Sequence, residues 1–165
     1  MKPKIFLMTM ICLCLLSISA SAQNKKQSSS KSKTAQGKSD KSPQYVKPKS
    51  ARPLPFSDVV RVGDMLYLAG QIGTDENFEL VAGGIKAETK QIMEKIRRLL
   101  DENNSSLDHV VKCTVMLADM SEWATMNEIY VTYFKPDRLP ARSALGVNGL
   151  ARGARVEIEC IAVVK

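Results

Sequence analysis

The chain has 165 residues, 44% of them hydrophobic, and a net charge of +7. That length carries one domain. The charge is lopsided: residues 1–50 hold 10 lysines and one aspartate, whereas residues 51–165 hold 14 Lys or Arg against 16 Asp or Glu. The compact part is therefore slightly acidic, which argues against nucleic acid as its partner, because phosphate binding wants a basic patch.

The N-terminus reads as a delivery device. MKPK is a positive segment, residues 5–20 are apolar, and Ala20-Ser21-Ala22 is a small-x-small cleavage signal. This pattern predicts a signal peptide over residues 1–22, cut after Ala22, and an exported protein, periplasmic or secreted. The apolar run falls short of the roughly 20 residues of a membrane span, so no stable span is expected after cleavage. Residues 23–51 are rich in Ser, Lys and Gln and poor in large apolar side chains. They cannot bury enough surface to order themselves and are expected to be a flexible linker.

The domain is expected over residues 52–165. Residues 57–62 alternate weakly and predict a strand; Gly63-Asp64 is a turn; residues 65–72 (MLYLAGQI) predict a second strand, closing a hairpin. In residues 85–103, Ile85, Thr89, Ile92, Met93, Ile96, Leu99 and Leu100 follow the three-and-four spacing of a buried helical stripe. Residues 109–118 are β-branched and predict a strand. A second helix is expected over 123–134, with Trp123, Met126, Ile129, Tyr130 and Tyr133 on one side. Strands at 143–147 and 154–164 complete the order β-β-α-β-α-β-β. Helices following strands, with a hairpin at each end, imply an α+β layer in which two helices cover one face of a sheet.

The last strand raises a question. Val156, Ile158, Cys160, Ala162 and Val164 make one face; Glu157, Glu159, Ile161 and Val163 make the other. If the helices cover the first face, the second needs another partner, and self-association is the simple one. Glu157 then falls near the rim of an interface, a suitable place for a pocket.

Arg142 follows a proline turn, and its planar guanidinium suits bidentate grip on a carboxylate. A structural salt bridge to Glu157 or Glu159 is the more common explanation for such an arginine. Glu157, a carboxylate in an apolar strand, is expected to have a raised pKa and to be able to orient water or carry a proton. Glu159 competes for that role. Gly70 permits close backbone approach, to a ligand or at a sheet bend. Asn127 falls near the packed face of its helix, as a pocket hydrogen-bonding group or a satisfied polar residue. Of the four cysteines, Cys12 and Cys14 fall in the signal segment, and Cys113 and Cys160 read as small buried side chains whose pairing stays open. With one histidine and scattered cysteines, no metal site is expected.

Taken together, Pro55-Phe56-Ser57, Val62-Gly63, Ala69-Gly70-Gln71-Ile72, the run SLDHVVK at 106–112, Met126-Asn127, Pro140-Ala141-Arg142-Ser143 and VEIECIAV at 156–163 resemble the RidA/YjgF family of reactive-intermediate deaminases. The resemblance covers roughly residues 52–165. It implies a chorismate-mutase-like fold and a homotrimer with active-site clefts between subunits. It implies hydrolysis, without cofactor, of enamines and imines such as 2-aminoacrylate, 2-iminopropanoate and 2-iminobutanoate to a 2-keto acid and ammonia. By position, Arg142 matches the residue that grips the substrate carboxylate and Glu157 the one that positions the attacking water. Glu159 becomes a supporting residue, and Gly70 and Asn127 match pocket positions. Phe56 stands where the family often has a tyrosine, and Ala144 where it often has a cysteine, so both substrate-binding positions depart from the pattern. Export is unexpected for a scavenger of short-lived cytoplasmic intermediates, and it motivates a rival expectation: a non-enzymatic trimeric module that binds small acids or acts as a holdase.

Overall fold

The structure, a computed structural model, describes residues 41–50 and 53–165. The expected signal peptide and most of the expected linker lie outside the described residues. The elements are β1 (Gln44–Val46), β2 (Val59–Val62), β3 (Met65–Leu68), β4 (Gln71–Ile72), α1 (Gly84–Glu102), β5 (Val110–Leu117), α2 (Trp123–Tyr130), β6 (Ala141–Gly146) and β7 (Val156–Val163). They form one mixed sheet in the order β1-β2-β3-β7-β5-β6, with β4 also pairing β7. All neighbours are antiparallel except β5 and β6, which run parallel because α2 carries the chain back between them.

The α+β order holds, with three corrections. First, β1 lies inside the segment expected to be linker. Tyr45 and Val46 give it a pairing edge on β2, in register Val46↔Val59, so order begins earlier than composition suggests. Second, the strand expected over 65–72 is interrupted. Tyr67 pairs Ile161, but Gln71 pairs Ile158, so residues 68–70 face only Glu159 and Cys160. One extra residue is accommodated there, as in a β-bulge. Third, α2 stops at Tyr130 and the chain continues as a single 3₁₀ turn, Val131–Tyr133.

The expected hairpin forms, with Val62 paired to Met65 across Gly63-Asp64. Gly63 takes φ 59°, the positive value that a two-residue hairpin loop requires at its first position. Helix α1 buries every residue of the anticipated stripe, and Glu88 besides. Glu88 accepts a 2.9 Å hydrogen bond from the backbone N–H of Arg155, just before β7 begins. A helix carboxylate thus fixes where the last strand enters the sheet.

One core joins the helices to one sheet face. Val156, Ile158, Cys160 and Ala162 of β7 are buried in it, as are Cys113, Val115 and Leu117 of β5. The alternate positions are not covered. Tyr67 is 45% and Leu145 42% exposed, and Met116, Ile161 and Val163 are half-buried beside them. The sheet therefore has a dry face under the helices and an uncovered, partly apolar face opposite.

Gly73 marks where β4 meets α1. A Cβ there would lie 2.6 Å from Glu88 Cα, a backbone atom that cannot swing aside. Gly73→Ala is expected to destabilise the fold by about 1–3 kcal/mol. Urea unfolding checks this: the midpoint should fall while the m-value stays unchanged.

Candidate active site

Six residues were singled out by sequence, and the structure sorts them into two groups. Arg142 pairs in register with Cys113, and Ala144 with Val115. Cys113 and Val115 face the helices, so Arg142 and Ala144 stand on that side too. Glu157 lies between Val156 and Ile158, which are buried on the helix side. Its side chain therefore belongs to the uncovered face.

The arginine group is built on α2. Arg142 Nη1 donates a 2.6 Å hydrogen bond to Asn127 Oδ1. Its guanidinium lies over the Tyr130 ring, with Cζ 4.7 Å from the centroid, a cation–π arrangement. Asn127 and Tyr130 are three residues apart on one helix, so they present one face to β6. Asn127 thus orients the arginine. Tyr130 was read from sequence only as part of the helix's packed side; the i, i+3 spacing with Asn127 was the available signal for its second role. None of the ion pairs among the described residues includes Arg142, Glu157 or Glu159. The salt-bridge reading of Arg142 is thereby set aside within the chain. Among the described residues the rest of its fork makes no ion pair.

The carboxylate group lies at the bulge. Phe56, Gly70, Ile72, Lys95, Arg152 and Glu157 help line a cleft of about 670 Å³. Gly70 lets the carboxylate lie against the strand: a Cβ would sit 1.9 Å from Glu157 Oε1 and would force that side chain to move. The extra residue in β3–β4 brings this glycine against the carboxylate. Lys95 of α1 donates to the carbonyl of Ile72 (3.1 Å) and to Thr74 Oγ1 (2.7 Å), holding the short strand that pairs with Glu157. Burial, and then the like charge of Glu159, push the Glu157 carboxyl above the ordinary carboxylate range.

A two-layer α+β protein with an oriented arginine on one side of the sheet and a carboxylate of raised pKa on the other is suited to handle a small organic acid. The family model for Endoribonuclease L-PSP matches residues 47–164, and the chain belongs to that family, the RidA/YjgF proteins. It is 46% identical over 110 residues to the 2-iminobutanoate/2-iminopropanoate deaminase of Mus musculus, a match covering 66% of this chain and 81% of that protein. It is 42% identical over 116 residues to a RutC family protein of Pyrococcus abyssi, covering 69% and 91%. Among solved structures, RidA of the Antarctic bacterium Psychrobacter superposes with a TM-score of 0.67 at 36% identity, covering 73% of this chain and 99% of that one.

The raised Glu157 pKa makes a testable statement. A carboxyl raised in the folded state favours folding below its unfolded pKa, and that contribution is lost as pH rises through the folded value. Glu159→Gln removes the like charge but leaves the burial. Its Glu157 is expected to titrate at lower pH than in the wild type, yet still above an exposed glutamate, as read by carboxyl ¹³C NMR.

Proposed function

We propose that this chain is an exported deaminase that hydrolyses 2-imino and 2-enamino acids to a 2-keto acid and ammonia. The observation that carries the reading is the state of Arg142: fixed by Asn127 and Tyr130, with no ion pair to a carboxylate among the described residues. A substrate carboxylate supplies the missing partner in bidentate form. The names of the deaminase relatives, at 42–46% identity, support the same reaction.

The geometry supports completion of the site between copies of the chain. Arg142 and Glu157 stand on opposite faces of one sheet, so a single chain does not offer both to one substrate. The uncovered face, with Tyr67, Leu145, Ile161 and Val163, supports assembly into a homotrimer. There, the carboxylate group of one copy meets the arginine group of the next across a cleft. Phe56, Gly70 and Glu157 belong to one wall; Asn127, Arg142 and Ala144 belong to the other.

In this cleft Arg142 holds the substrate carboxylate and so places the C=N carbon. Glu157 accepts a hydrogen bond from water and takes its proton as the oxygen adds to that carbon. The same proton then passes to nitrogen, and as the adduct's hydroxyl proton follows it, the C–N bond breaks, the C=O bond forms and ammonia leaves. A carboxyl with a raised pKa suits this two-way transfer, because it holds a proton at less acidic pH. Phe56 supplies an apolar wall without a hydroxyl, and Ala144 leaves substrate contact on that strand to the backbone. Export rests on the charge, apolar run and cleavage pattern of residues 1–22.

The test generates 2-aminoacrylate or 2-iminobutanoate in situ and follows its loss. Arg142→Ala and Glu157→Gln are each expected to lose about 10²-fold or more in activity and to keep their oligomeric mass. Unfolding the two variants together and refolding them as a mixture should restore about a quarter of wild-type activity, because random mixed trimers regain one intact cleft. Wild-type activity in Arg142→Ala would sink the assignment. Absence of turnover in the wild type, with small acids still bound, would favour the non-enzymatic module.

A further inference from the structure

Cys113 and Cys160 are nucleophilic side chains that the proposed chemistry does not use. They are 0% and 2% exposed and stand directly opposite one another on β5 and β7. Opposed residues of antiparallel strands have Cα atoms about 4.5–5.5 Å apart, inside the window of about 4.4–6.8 Å in which a disulfide closes. Both side chains emerge on the helix-facing side, so they converge. Their sulfurs, present as thiols, are 2.7 Å apart, within the contact distance of two unbonded sulfur atoms.

We propose that Cys113 and Cys160 are a redox pair that closes into an intrachain disulfide and staples β5 to β7. The oxidant is a disulfide-bearing compound, of the kind that an oxidising compartment maintains. The Cys113 thiolate attacks one sulfur of that compound, breaking its S–S bond and releasing one thiolate. The Cys160 thiolate then attacks Cys113 Sγ in the mixed disulfide and releases the second. The cysteines give up two electrons and two protons, and the oxidant leaves as two thiols. Because both sulfurs are buried, the exchange belongs to folding, before the helices cover the sheet.

The staple lies behind the arginine group. Arg142, Cys113 and Cys160 are register partners in one row across β6, β5 and β7. The Tyr130 ring supports Arg142, while its buried hydroxyl makes no hydrogen bond of good geometry and is acted on directly by Cys113. The bond would tie the strand beside Arg142 to the strand that bears Glu157.

The experiment reads thiols and melting, so its outcome is independent of deaminase turnover. The full chain is reduced, unfolded, refolded in a mixture of oxidised and reduced glutathione, alkylated in denaturant and mapped without reduction. The expected product is a linked peptide pair containing Cys113 and Cys160. The bond closes a loop of 47 residues, so adding reductant should lower the thermal midpoint by roughly 10 °C. In a Cys113→Ala/Cys160→Ala variant that reductant effect should vanish. Recovery of both cysteines as alkylated thiols would overturn the proposal, as would their linkage to Cys12, Cys14, glutathione or another chain. If the double variant fails to fold, the wild-type map still decides.

Discussion

The alternation of β7 is the constraint on which the rest of this structure depends. It is an interior strand, flanked by β5 on one side and by β3 and β4 on the other. Its even-numbered residues, Val156 to Ala162, are all buried in the core. That burial fixes the register, because a slip of one residue would turn Glu157 and Glu159 into the helices and the valine and isoleucine out of them. The position of Glu157 on the uncovered face is thus enforced by hydrophobic burial on the other. Glu88 reinforces this from outside the strand by holding the backbone of Arg155.

The bulge at residues 68–70 adapts this regular frame to chemistry. A continuous β3–β4 strand would set a different residue against Glu157. The added residue brings Gly70 there, and a glycine leaves the carboxylate in its present position where a Cβ would displace it. The resulting enclosure is what raises the Glu157 pKa. A backbone irregularity, a missing side chain and a shifted proton affinity are therefore one device. Lys95 completes it, since two short strand residues, Gln71 and Ile72, would hold this edge weakly without its bonds to Ile72 and Thr74.

Most of the frame is legible in the sequence because it follows from periodicity. The stripe of α1 and the alternation of β7 each repeat over several turns or pleats, so they identify their buried residues directly. The bulge is not legible, because a two-state alternation has no symbol for an extra residue. Strand β1 is missed because Gln44–Val46 is too short to show a pattern and sits among Ser, Lys and Pro. Arg142 and Glu157 stand out as charged residues in apolar runs, but their relation to each other does not. That relation depends on β6 being parallel to β5 while β7 is antiparallel, which is a property of the connection through α2. Periodicity in either strand contains no trace of it.

Opposite placement of Arg142 and Glu157 also resolves a conflict that any site of this composition faces. An arginine and a carboxylate with a raised pKa, close together on one side of a sheet, would pair. The pairing would pull the carboxyl pKa down and occupy the fork that the proposed substrate carboxylate needs. In this fold the sheet itself keeps them apart, and Asn127 and Tyr130 hold the guanidinium without neutralising it. Neither Asn127 nor Tyr130 competes with a carboxylate for the remaining donors. In the proposed assembly the two groups meet across a cleft, and the gap between them is sized by the subunit contact instead of by side-chain attraction. On the proposed assembly, the partly apolar face that a single chain leaves exposed is a requirement of the site, because its burial would supply the driving force that sets the two walls opposite each other.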